Sequence, residues 1–494
     1  MKKINKKNLI KYIIIFAITC IIFAPFLLGH YATDTYNIIN RGYKEYAIKY
    51  SLNDGRPVMC LISLIAEKIN MPIQAYIIIL TAIALLISCL SVVKLKNVVL
   101  KYTEKKGKKI EYIILAISYI IIFNFAYLEN LQFAECAVMS VSILLDIIVA
   151  QTIVDKNKNY ILKSILLTII SVLFYQGTIN WLITITFFLS VIKEKKINLQ
   201  VIKNVFLGGI CIGMGYVVNL IQIRITGKIF DLSQTRMGSI KNIKSNCEYI
   251  FKNVYGILLN TYNLFPKYAL FTYIIILLIY ALFAENKNNM NLQINIIAIF
   301  LICICAVFAP NLMTLSAFGT GRMAFSIGAM TGLVLIYIYC NLDFSELKKS
   351  KILEIILYVI IFSYMILSII NCMFIMYNHK KVNEQDKQEC ETIGKWIDEY
   401  EKANNIEVKN IVFIYNNSSK LYYNNVKNKS ALCYKALGTE WSRIGAINYY
   451  SNRKFNEAFN ISQKCNEYFK DKSWDKLDKE QLIFEEDTLY YCLY

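Results

Sequence analysis

The sequence predicts a polytopic α-helical membrane protein with a small polar C-terminal domain. Three observations predict it: the apolar share of the chain, the repetition of apolar runs of spanning length, and the placing of lysine between those runs. Of 494 residues, 56% are hydrophobic, and the mean hydropathy is +0.43. A soluble domain cannot usually hide that much apolar side chain, so a bilayer is the natural solvent. The formal net charge is +19, from 54 Lys and Arg against 35 Asp and Glu. A balance that basic suits nucleic acid. Here, however, the lysines fall in short runs between apolar segments, and no nucleic-acid-binding motif supports that reading. They read instead as topogenic signals and as contacts to anionic lipid.

The first apolar run, residues 9–28, follows Lys2, Lys3, Lys6 and Lys7 and includes Lys11. It is longer than a signal-peptide core and lacks a small-residue cleavage site, so it reads as an uncleaved first helix with its basic end inside. Ten further candidates lie near 73–93, 112–127, 136–153, 161–175, 178–192, 204–223, 268–284, 292–309, 323–340 and 352–372. The pair 161–175 and 178–192 reads either as two short helices joined at Gly177 or as one long tilted helix. About eleven crossings from a cytoplasmic N-terminus put the C-terminus outside. This divides the chain into a transmembrane domain, 1–372, and an extracytoplasmic domain, 373–494.

Charge agrees with that orientation. The expected inner loop 94–110 holds seven lysines against Glu104, and Lys156, Lys158, Lys193, Lys195, Lys196, Lys348, Lys349 and Lys351 mark the other inner loops. The first outer loop, 29–57, has four positive and three negative residues. One outer segment runs against the rule. Residues 224–267 carry Arg224, Lys228, Arg236, Lys241, Lys244, Lys252 and Lys267 against two acids. They read as a basic outer loop in which 247–262 can form an amphipathic helix on the leaflet.

The tail changes character. Residues 384–403 read as an amphipathic helix through Ile393, Trp396, Ile397 and Tyr400, and 409–415 as a buried strand. A small α/β or α+β domain is expected. Its four cysteines, Cys390, Cys433, Cys465 and Cys492, leave open two disulfides in any of three pairings or four thiols. No CxxC pair and no HExxH occurs, so the sequence requires no zinc or redox cofactor.

Polar groups are costly on lipid-facing helices, so chemistry belongs at loops and helix ends. The first outer loop is the richest, with Asp34, Arg41, Asp54 and Arg56. An acid just beyond the first helix can take a proton from an acceptor hydroxyl, and nearby arginines can pair with phosphate oxygens. Asp54-Gly55 also reads as a plain turn signal. Other polar points at expected outer ends are Glu129-Asn130, Glu135, Tyr175-Gln176-Gly177 and Gly319-Thr320-Gly321-Arg322. Each has an ordinary alternative: Tyr175 and Trp181 as interfacial aromatics, Gln176 as a cap, Arg322 as a snorkelling cation.

Asp34 after the first helix, Arg41-Gly42 beyond it, Gly55-Arg56-Pro57 before an apolar run, and Tyr175-Gln176 after the fifth helix together resemble the bacterial glucosyl transferase family of the Gtr type II kind. Gly321-Arg322 and Arg236 are weaker matches to it. The family's first loop often has two adjacent Asp. Here Thr33 replaces the first, which leaves a role for a divalent metal open and one carboxylate as base. The resemblance implies a GT-C type glycosyltransferase of the cell membrane. Such an enzyme takes glucose from a polyprenyl-phosphate donor and gives it to a cell-surface glycan or other extracytoplasmic acceptor. It further implies Asp34 as the catalytic base, with Arg41, Arg56, Tyr175, Gln176, Arg236 and Arg322 on the substrates. Rival readings are a lipid-linked glycan flippase, for which Asp146 is the one clear mid-span acid, and a surface polysaccharide polymerase. A membrane O-acyltransferase needs a mid-membrane His, and neither His30 nor His379 is so placed.

Overall fold

The computed structural model describes residues 6–232, 240–284, 290–307, 309–311, 314, 319–342, 350–416 and 419–494. Apolar segments without internal proline form helices, because only a helix satisfies its own backbone in an apolar setting. In chain order the helices are α1 (Lys6–Ile22), α2 (Ala24–Leu27), α3 (Thr33–Arg41), α4 (Tyr43–Tyr46), α5 (Pro57–Lys68), α6 (Ile73–Tyr102), α7 (Lys108–Ile122), α8 (Phe125–Leu131), α9 (Cys136–Asp155) and α10 (Tyr160–Phe174). There follow α11 (Ile179–Glu194), α12 (Leu199–Phe230), α13 (Ile243–Asn260), α14 (Ala269–Phe283), α15 (Met290–Ala306), α16 (Phe325–Asn341) and α17 (Ser350–Asn404).

Six helices among the described residues are long and apolar enough to cross a membrane, or seven if α7 and α8, bent by 54°, count as one. The sequence expectation of about eleven is finer than this. The segments of α1, α10 and α14 are apolar but shorter than a span. The ambiguity at 161–192 resolves into two helices, which return on each other at Tyr175-Gln176-Gly177. Ser142 of α9 bonds both Ser171 and Thr178 at 2.7 Å, and Lys193 at the far end of α11 reaches the carbonyl of Val154, 2.7 Å away.

Helix ends sort into two faces. At one, Lys11 and Lys96 pair with Glu111, Lys101 with Asp155, Lys109 with Glu354 and Lys195 with Glu104. At the other lie α3, α8, the start of α16 and the C-terminal sheet. α16 runs between the two faces and is buried along nearly its whole length. Gly328 and Gly332, one turn apart, let it approach α7: a Cβ there would stand 2.2 Å from Asn124 Oδ1 and 2.4 Å from Ile121 Cγ1. Small residues at this spacing are how apolar helices pack closely without a hydrophobic driving force.

α17 runs unbroken for 55 residues, through the position at which the sequence suggested a domain boundary. It contains no proline, and its one glycine, Gly394, lies against Ser451. Nothing in it stops a helix, so the apolar segment and the expected amphipathic helix are continuous. Beyond it, β1 (Asn410–Ile414), α18 (Arg443–Ser451), β2 (Asn456–Ala458), α19 (Gln463–Phe469), β3 (Leu482–Glu485) and β4 (Thr488–Cys492) form a small sheet domain in the order β2-β1-β4-β3. β1 is parallel to β2 and β4, and β3 and β4 are antiparallel. The four cysteines of the tail are buried thiols.

Candidate active site

α3 presents Asp34 in its first turn, where the helix dipole favours a carboxylate. The helix is fixed from the C-terminal side. Tyr36 and Tyr450 share a hydrogen bond at 3.0 Å, as do Tyr31 and Tyr449. Gly445 of α18 lies so close that a Cβ there would be 2.1 Å from the Tyr36 carbonyl. With α18 seated this way, the Trp441 Nε1–H donates to Asp34 Oδ1 at 2.8 Å.

The turn before α5 presents Arg56. Gly55 takes a positive φ of 78°, a region that glycine enters without strain. Gln176 Nε2 donates to the carbonyls of Asp54 and Gly55 at 3.0 and 2.9 Å, and Asn219 Nδ2 donates to Gly55 at 2.7 Å. Gln176 therefore braces the turn rather than capping a helix. Arg56 Nη1 meets Glu135 Oε1 at 3.0 Å, Nη2 lies 3.9 Å from Asp54, and the guanidinium sits 5.1 Å from the Tyr175 ring centroid. The Tyr175-Gln176 pair thus holds the 53–57 turn from two sides. Tyr175 and Trp181 are buried, which excludes an interfacial role for either.

The break between α7 and α8 presents Glu129. Asn124 caps α8, accepting from Ala126 N at 2.9 Å, and lies against Gly328. Glu129 Oε2 then accepts from Gly321 N at 2.7 Å, just ahead of α16. A side chain on Gly321 would strike Leu264 and Glu129. Arg322 points inward, 4.5 Å over the Phe133 ring centroid, and does not snorkel.

These three strands of construction meet in one cavity of about 710 Å³. Asp34, Asp54, Glu129 and Glu135 line it with Arg56, Arg322 and Lys429, and the C-terminal domain adds Tyr422, Tyr434 and Trp441. A recess of about 100 Å³ adjoins it. The two share Asp54, Arg56, Thr314 and Arg322, and the recess continues between Tyr175, Gln176, Tyr216, Ile223, Pro310 and Met323. Of the residues singled out in the sequence, Asp34, Arg56 and Arg322 line the cavity, and Tyr175 and Gln176 the recess. Arg41 does neither: it is exposed, pairs with Glu45 at 2.8 Å and donates to Asn37 at 2.8 Å. Arg236 lies outside the described residues. Asp54 is a turn residue, as read, and also a wall of both spaces. Trp441, Tyr434 and Lys429 carried no sequence signal. Asp146 is buried and accepts from Ser171 Oγ at 2.7 Å, so the mid-span acid is tied to a neighbouring helix.

Apolar helices, with a cavity at one face that sets carboxylates beside arginines, make this a membrane-associated protein equipped for acid–base and anion chemistry. Residues 23–339 match the family model described as Glucosyl transferase GtrII, and the chain belongs to that family of glycosyltransferases. The matched segment contains Asp34, Arg56, Tyr175, Gln176 and Arg322, and it ends before Trp441. No curated protein matches the chain.

Proposed function

We propose that this chain is a GT-C type enzyme of the bacterial cell membrane that moves glucose from a polyprenyl-phosphate donor to a surface glycan outside the cell. The observation that supports it best is the joining of two spaces across Arg56 and Arg322. A polar cavity reaches a carboxylate, and an adjoining recess is walled by Tyr175, Tyr216, Ile223, Pro310 and Met323. An amphipathic donor has the same two halves. The first isoprene unit of its prenyl chain lies in the recess and its phosphate at the arginines. Its sugar lies in the cavity.

In the reaction the acceptor oxygen attacks C1 of the sugar. The C1–O bond to phosphate breaks, and polyprenyl phosphate leaves as an anion. Arg322 stabilises the charge that develops on the leaving phosphate. Arg56 is held between Glu135 and Asp54 and acts from a fixed position. Asp34 takes the acceptor's proton, and its bond from Trp441 fixes the carboxylate for that transfer.

The test is a single-turnover experiment on proteoliposomes that hold the full chain. They are given labelled polyprenyl-phosphate glucose and the surface glycan prepared from cells lacking this chain. Label in the glycan and release of polyprenyl phosphate support the reading. Intact donor that merely changes leaflet means a flippase, and no use of the donor means a different donor class.

A further inference from the structure

The C-terminal domain lines the cavity with three aromatic side chains, Tyr422, Tyr434 and Trp441. Trp441 is half exposed, although its Nε1–H is bonded to Asp34. Tyr422 and Tyr434 stand with ring centroids 5.2 Å apart at 55°, and the Lys429 ammonium lies 5.1 Å from the Tyr422 ring. This wall is anchored at two places. Asn428 Nδ2 donates to the Asn263 carbonyl at 2.8 Å, and Asn263 Nδ2 donates to the Lys429 carbonyl at 3.0 Å. At the other end Trp441 adjoins Ser442, the N-cap of α18, which is seated on α3 through Gly445. The indole face is therefore presented to the cavity by a docked helix rather than by a loose loop.

Closing a polar cavity does not require aromatic faces. A pyranose does. One face of the ring is a patch of C–H bonds and its edge is hydroxyls, so it stacks on a flat ring whose rim carries hydrogen-bonding groups. Trp and Tyr supply a large apolar body with one polar tip. The donor is accounted for on the opposite side, at the arginines and the apolar recess. We propose that residues 422–441 form the acceptor subsite, in which Trp441 stacks on a sugar ring of the acceptor glycan and so brings one of its hydroxyls to Asp34. The proposal rests on the transferase reading above and adds what that reading lacks, the place and chemistry of acceptor recognition. The segment lies outside the part of the chain that matches the family.

The experiment measures KM for donor and for acceptor separately in proteoliposomes of Trp441→Ala, Trp441→Phe and Tyr434→Ala, with polyprenyl-phosphate glucose and the glycan from cells lacking this chain. Loss of one stacking face raises KM about tenfold. Trp441→Ala is expected to raise the acceptor KM by that factor while the donor KM moves less than about twofold, and Tyr434→Ala to act in the same direction. Trp441→Phe keeps a flat face and loses the N–H, so kcat falls while the acceptor KM stays near wild type. An unchanged acceptor KM in Trp441→Ala overturns the proposal. So does an equal fall of kcat in both Trp441 variants with no KM change, because the indole then only holds Asp34. If the wild-type chain consumes no donor, it is the transferase reading that fails. The subsite is then judged by direct binding of the same glycan to the full chain: binding lost in Trp441→Ala supports it, and equal binding overturns it.

Discussion

Removing Arg56 tests the construction of the cavity most directly. Its side chain is 12% exposed, and it serves Glu135 at 3.0 Å and Asp54 at 3.9 Å, whose side chains are 5% and 6% exposed. Arg56→Ala leaves two buried carboxylates facing each other without their shared cation. Breaking a buried pair by removing one partner costs about 3–5 kcal/mol, most of it the penalty of the charge left behind. The Tyr175 ring loses its cation as well, worth roughly 0.5–2 kcal/mol. Arg56→Lys keeps the charge but not the two-sided fork, and is expected to fall between Ala and wild type. The assay is thermal unfolding of the detergent-solubilised full chain, run as a double-mutant cycle with Glu135→Gln. Neutralising Glu135 removes one of the orphaned charges, so the double variant is expected to be more stable than Arg56→Ala alone. The two costs then fail to add, by about 1–3 kcal/mol. An Arg56→Ala variant as stable as wild type, or costs that add within error, would refute the buried Asp54–Arg56–Glu135 unit.

Four further outcomes are expected. Asp34→Asn keeps the acceptor for the Trp441 N–H and removes the base, so transfer falls by roughly 10²–10⁴-fold at unchanged membrane level. Full turnover in that variant moves the assignment to Glu129 or Glu135. Gln176→Leu removes its two bonds to the 53–57 turn, leaving that of Asn219, and is expected to cost about 1–3 kcal/mol of stability and to raise the donor KM; a normal donor KM would return Gln176 to a purely local role. Lys435 is buried, and its ammonium is pushed down to about 8 by burial, which outweighs the opposing pull of Glu389 and Asp386. Between about 8 and the ordinary 10.5 the unfolded chain holds a proton that the folded chain has released, so this group makes stability rise with pH across that window. Lys435→Met should flatten that rise in thermal midpoints, and an unaltered slope would assign it to other groups. A reporter fused after Tyr494 is expected to be active outside the cytoplasm and one within 101–109 inside; activity of both in one compartment would break the proposed orientation.

Much of the site was legible because an apolar chain makes its polar exceptions conspicuous. Asp34, Arg56, Tyr175-Gln176 and Gly321-Arg322 all lie at helix ends, and a bundle brings ends on one face together. What each of them does there was less legible. Gln176 has the same letter whether it caps a helix or braces a turn 121 residues away. Asp54 was readable only as a turn former, since its second role depends on Arg56 folding back beside it. Arg41 has the right charge and the right loop, yet it stands one helical turn from Glu45 and Asn37, and these local partners hold it on the surface. The contribution of 422–441 could not be read at all. Its aromatics show neither period nor motif, and they reach Asp34 only because α17 carries the chain past the bundle and α18 docks back on α3. The continuity of α17 across 372 was hidden for a related reason: hydropathy falls there, while helix propensity does not.

The two faces of the bundle set the site relative to its lysine-rich end. α16 links them. Its first turn lies beside Arg322 in the cavity, and at its far end the carbonyls of Tyr339 and Leu342 accept from Lys105 Nζ at 2.7 and 2.6 Å. Those carbonyls carry the negative end of the helix dipole, so the lysine stabilises that end as well as marking a face. The cavity thus lies at the opposite end from the lysine-rich connection. If lysine marks the cytoplasmic side, the cavity opens outside. α12 begins near Lys195 and passes the 53–57 turn in its C-terminal half, where Asn219 and Gln222 bond Gly55 and Leu52. The basic stretch after it therefore starts on the cavity face. In α13, Asn246 bonds the carbonyls of Asn311 and Thr314 at 2.9 and 2.8 Å, the second of which lines the cavity. Positive charge on that face is not needed to orient the chain. Lys241 and Lys244 shortly precede Asn246 in the chain, so positive charge flanks the cavity wall there.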